Sequence, residues 1–346
     1  MGWLVNIIPV PYPGLEDAPE SYRTAWRKYV DPELTVTRDA DREDWLEQAA
    51  RLETGMRLLD DPLLRVYGHG VVDADGRPVG DDACRGRACY GEVLNADPRR
   101  PADYPVETGN AHRYANSPAV RRLMRRGTML TPVNAGMVEQ AVRDIASHGH
   151  GVVVKYVLRE KTLPVARLTA GEAVSFDAGP WFDWEDVRFE DEPDGVLVQE
   201  RVDMRREYRV FVVGGQPVCG AGCIERCTPA DNEATFDPKV EERRNDGQAV
   251  SRPGTVEAYR RFAVEAARLI ADEGYIRGPY VMDLATVDGM PCIIELNRMN
   301  NAGLYALDMD ALLTAVNRHP DLFMPERPNR PITSFCEPLT GIEETI

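Results

Sequence analysis

The amino-acid sequence predicts an α+β fold with antiparallel strands, rather than a doubly wound parallel sheet. Two hairpin signals support this prediction. Gly214-Gly215 and Asp288-Gly289 are two-residue turn sequences, and each lies between two apolar runs. A helix is predicted between these hairpins, from residue 255 to residue 271, because apolar side chains recur on one face and Gly274 follows its end.

Further elements follow in order from residue 117. Ser117 and Pro118 are typical of a helix N-cap and its first helical position, and a second helix is predicted from residue 138 to residue 148. Residues 226–254 are charged and rich in turn formers, so a mobile loop is predicted there. The apolar runs predict strands at residues 151–158, 165–174, 196–202, 207–213, 217–219, 279–287 and 292–297.

The first 115 residues give weaker signals. A strand is predicted at the N-terminus, a helix around residues 45–52 and another strand at residues 66–72. The segment from residue 73 to residue 108 is rich in Gly, Pro, Asp and Arg, which predicts loops. No motif in this part of the sequence indicates a particular chemistry.

Composition argues against several classes of protein. The formal net charge is -16 at pH 7, and such an acidic surface disfavours nucleic acid. No apolar run reaches the roughly 18 residues of a membrane helix, and the N-terminus lacks a basic leader, so we expect a cytoplasmic protein without a membrane span. The seven cysteines favour reduced thiols, and Cys219, Cys223 and Cys227 lack zinc-site spacing.

Two acidic residues face each other across the last predicted hairpin. With a three-residue loop at residues 288–290, Asp283 pairs with Glu295, about 5 Å apart on one face of the sheet. Asn297 lies two residues beyond Glu295 and shares that face. Opposed acids repel unless a cation lies between them, and two carboxylates with one amide suit Mg²⁺. An equally open alternative is a hairpin whose acids simply face solvent.

Lysine is scarce in this sequence, with four lysines against 37 arginines. Lys155 is predicted in the middle of an apolar strand, where a buried ammonium group needs an anionic partner such as a nucleotide phosphate. The alternative is a strand-end lysine that reaches the surface. Lys161 follows, and it either caps the phosphates from a loop or is solvated.

Several further positions are ordered as a nucleotide site requires. Gln199, Glu200 and Val202 lie at a strand end whose backbone C=O and N–H groups can meet the edge of adenine. Glu207 opens the next strand, where an acid can accept hydrogen bonds from ribose hydroxyls. Arg209 shares that face and suits bidentate binding of phosphate or carboxylate. Each alone is more often an ordinary strand residue, so it is their order that favours a site.

This order resembles the ATP-grasp superfamily over about residues 117–318. A strand lysine is followed by a hinge strand ending in Glu, a Glu-x-Arg strand, a helix, and a strand pair with Asp and Glu-x-Asn. More narrowly, the chain resembles the clade of this superfamily named for one arginine and two lysines. The closer resemblance is carried by Lys155, Lys161, Arg209, Glu295-Leu296-Asn297 and Ala302-Gly303-Leu304-Tyr305.

The resemblance implies an ATP-grasp fold, in which two α+β lobes hold ATP between them, preceded by a small α/β N-terminal domain. The corresponding regions are an N-terminal domain of residues 1–116, a first lobe of residues 117–194, a second lobe of residues 195–324 and a tail of residues 325–346.

The resemblance also implies a role for individual residues, which fall into four groups. By group, they are Lys155 and Lys161 for the phosphates of ATP; Gln199, Glu200, Val202 and Glu207 for adenine and ribose; Asp283, Glu295 and Asn297 for Mg²⁺; and Arg209 and Arg298 for the phosphate and acyl phosphate, with Arg298, Asn300, Asn301 and Tyr305 as candidates to contact substrate.

The implied chemistry is that of an ATP- and Mg²⁺-dependent carboxylate–amine or peptide-type ligase, which works through an acyl phosphate and releases ADP and phosphate. Its partners would be a small-molecule or peptide carboxylate and an amine, and a homodimer is common in the superfamily. The alternatives are a small-molecule kinase on the same fold and a non-catalytic ATP-binding module. Two departures from the family pattern are the lack of a glycine-rich loop after Lys155 and the presence of Arg298 after Glu-x-Asn.

Overall fold

The computed structural model describes residues 3–6, 64–67, 70–72, 77, 79, 88–90, 109–132, 134–146, 151–156, 166–168, 195–227, 229–299 and 302–323. Among the predicted site residues, Lys161, Asn300 and Asn301 lie outside this part of the chain, as does the tail from residue 325.

A small sheet forms at the N-terminal end of the chain from β1 (Trp3–Asn6), β2 (Leu64–Tyr67), β3 (Gly70–Val72) and β4 (Ala88–Tyr90). The strand order is β3-β2-β1-β4, and β1 is parallel to both β2 and β4. The prediction of a single strand at residues 66–72 is wrong, because the chain reverses there and β2 pairs with β3.

The second sheet consists of β5 (Thr128–Thr131), β6 (Val152–Tyr156), β7 (Ala166–Leu168) and β8 (Val196–Glu200). Its order is β5-β8-β6-β7, and every pair is antiparallel. Two helices, α1 (Pro118–Leu123) and α2 (Ala135–Ala146), belong to the same region.

Local capping explains where these two helices begin. The Ser117 hydroxyl accepts a hydrogen bond from the Val120 N–H at 3.2 Å, which confirms the predicted N-cap of α1. The start of α2 was predicted at residue 138, but the helix begins at residue 135. Asn134 caps it, because its side-chain oxygen accepts from the Met137 N–H at 3.1 Å.

The second lobe contains a third four-stranded sheet and a two-stranded one. Its elements in chain order are β9 (Arg205–Val213), β10 (Gln216–Gly222), β11 (Lys239–Val240), β12 (Val250–Ser251), α3 (Pro253–Glu273), β13 (Tyr280–Val287), β14 (Met290–Arg298) and α4 (Met309–Arg318). The third sheet has the order β10-β9-β13-β14 and is antiparallel throughout. Helix α3 contains the predicted 255–271 segment and ends at Gly274, whose φ is 72°. The α+β prediction is therefore confirmed.

The segment predicted as a loop contains ordered pairing. Strands β11 and β12 form the two-stranded antiparallel sheet. The Gly220 N–H donates to the Thr235 carbonyl at 2.9 Å, so this segment also contacts the edge of β10. The segment is rich in charged residues and has few apolar ones with which to form a separate hydrophobic core. It folds because it packs against a sheet that other residues form.

The register of the last hairpin was predicted correctly at the acids and wrongly at the turn. The turn has two residues, not three, because Asp288 and Gly289 both have positive φ, 49° and 79°. A β-bulge then shifts the register by one residue, so Asp283 still pairs with Glu295.

One hydrophobic cluster joins the two lobes. It contains Tyr114, Met124 and Leu197, the last on β8 of the second sheet, together with Tyr259 on α3 and Met282 on β13, all at most 1% exposed. Tyr114 lies in a 3-10 helix, Ala111–Asn116. This helix is on the N-terminal side of the predicted boundary between the N-terminal domain and the first lobe, at residue 116. The position of that boundary stays a prediction. No helix among the described residues has the length and apolar character needed to cross a membrane.

Candidate active site

A buried ion pair lies in the middle of the third sheet. β9 and β13 are neighbours, and their register sets Arg209 opposite Asp283. The Nε and Nη2 atoms of Arg209 each donate to one carboxylate oxygen of Asp283 at 2.8 Å, and Nη1 donates to the Gly303 carbonyl at 3.0 Å. The two side chains are 11% and 8% exposed. Bidentate guanidinium–carboxylate bonding fixes the orientation of both groups.

A second ion pair connects the two lobes. The Nζ atom of Lys155, on β6, donates to Oε2 of Glu295, on β14, at 2.8 Å. The ammonium group also lies 5.1 Å from the ring centroid of Tyr114, within the range of a cation–π interaction. The anionic partner that sequence analysis required for Lys155 is therefore a carboxylate in this structure. Binding of a phosphate by Lys155 stays a prediction.

Asn297 joins the two acids. Its Nδ2 atom donates to Oδ2 of Asp283 at 2.8 Å and to Oε1 of Glu295 at 3.3 Å. Of the three side chains predicted as Mg²⁺ ligands, Asn297 thus lies within hydrogen-bonding distance of both acids. We refer to Lys155, Arg209, Asp283, Glu295 and Asn297 as the charged cluster.

The oxygens of the charged cluster fit a hard cation. Mg²⁺ prefers oxygen ligands and keeps positions for water and phosphate, so two carboxylates and one amide are sufficient. Asn297 would have to turn its amide so that Oδ1 replaces Nδ2 on the side of the acids. No group of three or more His, Cys, Asp or Glu side chains in the described part of the chain could hold a metal. An ion at the charged cluster would therefore depend on water or nucleotide oxygens as well.

Electrostatic interactions shift the pKa values of three members of the charged cluster, Lys155, Arg209 and Glu295. Burial alone would raise the pKa of Glu295, but the charge and hydrogen bond of Lys155 outweigh it and lower that pKa to about 2. Burial alone would lower the pKa of Lys155, and Glu295 instead raises it above its usual value. The pKa of Arg209 is raised in the same way by Asp283. Lys155, Arg209 and Glu295 therefore stay charged at neutral pH.

Glu207, the predicted ribose ligand, lies beside the charged cluster. Burial raises its pKa, Arg244 opposes that rise, and the carboxylates of Asp283 and Glu295 add to it. The Arg244 Nη1 atom is 3.7 Å from Oε2 of Glu207. Arg244 was not predicted from the sequence, because it belongs to the segment predicted as a loop. Nothing in the local sequence indicates that this segment folds back onto the site.

Tyr305 also reaches the charged cluster. The Arg209 guanidinium lies 5.0 Å from its ring centroid. Tyr305 has a φ of 49°, which is uncommon for a residue other than glycine. At Gly303, a Cβ atom would lie 3.2 Å from Nη1 of Arg209, so a side chain there would crowd the guanidinium. The backbone from Gly303 to Tyr305 therefore has a conformation that leaves space for the Arg209 guanidinium.

Arg298 is placed differently from the other predicted residues. It pairs with Tyr280 at the end of β14. Because side chains alternate along a strand, this register puts Arg298 on the face opposite to Glu295 and Asn297. The strand register thus does not bring it together with the acids, and its role in binding phosphate stays a prediction.

Backbone groups of the predicted adenine strand already take part in hydrogen bonds within the protein. The Glu200 N–H donates to the Gly127 carbonyl at 2.8 Å, and the Glu200 carboxylate accepts from the Gly127 N–H at 3.1 Å. The Val202 carbonyl accepts from the Met204 N–H at 3.1 Å. Gln199 is 1% exposed, so its side chain belongs to the interior. Contact of this strand with adenine stays a prediction.

Arg126 is a second residue that sequence analysis missed. It lies between α1 and β5, and its Nη2 atom donates to the Gln199 side chain at 3.2 Å and to the Ile294 carbonyl, next to Glu295, at 3.1 Å. The sequence contains 37 arginines, and its pattern does not distinguish Arg126 from the others.

A family model matches residues 136–315 and describes an ATP-grasp domain, family 2 of the clade named for one arginine and two lysines. This match spans more than half of the chain and includes the whole charged cluster. The chain therefore belongs to the ATP-grasp superfamily. Within it, the chain belongs to family 2 of that clade, in agreement with the resemblance found in the sequence.

Comparison with solved structures gives weaker likenesses. D-alanyl-alanine synthetase A from Vibrio cholerae has 10% sequence identity and a TM-score of 0.45, covering 93% of this chain and 96% of that one. D-alanine–D-alanine ligase from Bacillus anthracis has 12% identity and a TM-score of 0.37, covering 93% and 96%. The ATP-grasp ligase PsnB, complexed with precursor peptide PsnA2 and AMPPNP, has 15% identity and a TM-score of 0.36, covering 92% and 98%. The search of curated proteins gave no match.

Proposed function

We propose that this chain is an ATP- and Mg²⁺-dependent ligase that joins a carboxylate to an amine through a C–N bond and releases ADP and phosphate. The supporting observation is that two acids and two cations from four strands meet at one place. Membership of the ATP-grasp superfamily supplies the expectation that ATP is the nucleotide. The carboxylate and the amine belong to small molecules or peptides.

The two ion pairs of the charged cluster explain how the site could receive a charged ligand. Asp283 and Glu295, with Asn297, would hold Mg²⁺. Lys155 and Arg209 would then exchange their carboxylate partners for phosphate oxygens, which also accept charge-assisted hydrogen bonds. When bound, Mg²⁺ would neutralise part of the negative charge of the phosphates. Lys155 and Arg209 would thereby contact the phosphates beside the metal.

The proposed reaction has two steps. An oxygen of the substrate carboxylate attacks the γ-phosphorus of ATP, an O–P bond forms, and ADP leaves. The amine nitrogen then attacks the acyl carbon, the C–N bond forms, phosphate leaves, and the nitrogen loses a proton. Lys155 and Arg209 contribute position and positive charge in both steps and form no covalent bond.

The remaining predicted residues would surround this centre. Glu207 is proposed to bind ribose beside Asp283, and the backbone at residues 199–202 to bind adenine. Arg298 and Tyr305 are proposed to contact the acyl phosphate or the substrate. Homodimer formation and a cytoplasmic location are further parts of the proposal.

The test is ADP release by the full chain with Mg-ATP and pooled carboxylic acids and amines. The proposal predicts that ADP appears only when an acid and an amine are both present. Glu295→Gln is expected to lower the rate by at least about 100-fold, because removing a group that positions metal and phosphate charge is costly in phosphoryl transfer. Asp288→Asn, at the exposed turn of the same hairpin, is the matched control and should retain the rate.

Other outcomes would redirect the proposal. Release of ADP with a single hydroxyl acceptor, leaving a stable phosphorylated product, would indicate a kinase. Nucleotide binding without ADP release in any pool would indicate a non-catalytic module. Production of AMP in place of ADP would contradict the acyl-phosphate route.

A further inference from the structure

One extra residue in β14 decides which face of the third sheet carries Glu295. From the turn to Ile293, β13 and β14 pair regularly, and beyond that point Asp283 pairs with Glu295, so Ile294 is the extra residue of the bulge. Without the bulge, Asp283 would pair with Ile294, and Glu295 would pair with Met282, which is 0% exposed. Because side chains alternate, the two carboxylates would then lie on opposite faces.

Arg126 supports this bulge from the first lobe. Its Nη2 atom donates to the Ile294 carbonyl at 3.1 Å and to the Gln199 side chain at 3.2 Å. Its Nη1 atom lies 3.7 Å from the Met204 sulfur. A bulge takes the extra residue out of the strand ladder, and its carbonyl then needs another donor. The guanidinium of Arg126 is that donor, and Gln199 helps to hold it in place.

We propose that Arg126 is a positioning residue for the metal ligands: it holds the bulge at Ile294 and thereby keeps Glu295 on the same face as Asp283. Arg126 acts through the backbone of β14 and not by contact with the reacting atoms. The inference rests on the proposed function, because it concerns the acids that are proposed there to bind Mg²⁺.

Deletion of Ile294 separates this role from general stabilisation of the fold. In the deletion variant, Glu295 follows Ile293 directly, and regular pairing brings Glu295 opposite Asp283 without a bulge. The two acids then no longer depend on Arg126. If Arg126 merely stabilised the fold, its replacement would cost as much in the deletion variant as in the wild type.

The experiment measures the affinity of the full chain for Mn²⁺ with saturating ADP, and its affinity for ADP without metal. Arg126→Met is expected to weaken Mn²⁺ binding about 10- to 100-fold, the usual effect of losing a group that orients a metal ligand, with ADP affinity changed less than about threefold. Arg126→Met combined with deletion of Ile294 should bind Mn²⁺ at least about tenfold more tightly than Arg126→Met alone.

Two further variants complete the comparison. Arg126→Lys retains a charged donor and is expected to stay within about threefold of the wild-type Mn²⁺ affinity. Arg125→Met is the matched control, because Arg125 is the adjacent arginine, is exposed, and lies over Phe262 instead of the hairpin. It should bind Mn²⁺ as the wild type does.

Two results would overturn the proposal: wild-type Mn²⁺ affinity in Arg126→Met, or a loss that deletion of Ile294 does not reduce. If the wild type binds no Mn²⁺ with ADP, the proposed function fails, and a crystal structure of Arg126→Met then decides the role of Arg126. Loss of the Asp283–Glu295 pairing would support that role, and an unchanged bulge would refute it. If Arg126→Met does not fold, Arg126→Gln takes its place in every comparison.

Discussion

Replacement of Asp283 by asparagine is expected to lower the free energy of unfolding by about 3–5 kcal/mol, the usual cost of removing one partner of a buried ion pair. The Arg209 guanidinium would remain in the interior, 11% exposed, without a negative partner. The same substitution removes a proposed metal ligand, so Mg²⁺ should no longer strengthen ADP binding. Urea unfolding and calorimetric titration with ADP, with and without Mg²⁺, measure the two effects.

Two variants control this prediction. Asp288→Asn makes the same chemical change at the exposed end of the hairpin, where a positive φ of 49° suits asparagine, and should leave both properties unchanged. Asp283→Asn combined with Arg209→Met removes both charges, so it should recover much of the stability but not the effect of Mg²⁺. Wild-type stability of Asp283→Asn alone would contradict the description of a buried pair.

Replacement of Lys155 by methionine is expected to change two affinities in opposite directions. Nucleotide binding should weaken about 10- to 100-fold, because a hydrogen bond to a charged group contributes about 1.5–3 kcal/mol. Binding of Mn²⁺ without nucleotide should strengthen, because Glu295 loses the ammonium group that lies 2.8 Å from its carboxylate. Both affinities are measured by titration of the full chain.

Lys239→Met is the matched control for this second prediction. Lys239 is also ion-paired and partly buried, at 16% side-chain exposure against 12% for Lys155, but its partners are Glu233 and Asp237. Loss of both nucleotide and metal affinity in Lys155→Met would indicate general damage to the fold. Unchanged nucleotide affinity would mean that Lys155 serves only as the partner of Glu295.

The pairing of Asp283 with Glu295 was predicted correctly because two errors cancel. The loop was predicted one residue too long, and the one-residue bulge in β14 was not predicted. Local turn chemistry is readable, since Asp-Gly predicts a tight turn, but the loop length was one residue too long. The bulge that compensates was not predictable, because it is supported by a hydrogen bond from Arg126, 168 positions away. Local patterns fix where a strand turns, whereas a remote side chain decides where its register shifts.

The sequence indicated which residues belong to the charged cluster, but it did not indicate which of them form ion pairs with each other. A lysine within an apolar strand requires an anion, and this requirement singled out Lys155. Its partner in the structure, Glu295, is 140 positions away and on another lobe. Arg244 gave no signal because the segment that carries it folds against β9 and β10, whose contacts with it cannot be read from the local sequence. The N-cap at Ser117 and the helix end at Gly274 depend on neighbours in the sequence, and both were predicted correctly.

Asp283 and Glu295 are proposed to bind jointly a divalent cation that holds the phosphates of a nucleotide, and the proposed function depends on this site. A crystal structure of the full chain with ADP and Mn²⁺, with the metal located by its anomalous scattering, tests it most directly. The account predicts a Mn²⁺ peak in coordination with both carboxylates and with a phosphate oxygen that also contacts Lys155 or Arg209. A peak bound to neither carboxylate, or ADP bound away from these four side chains, would contradict it.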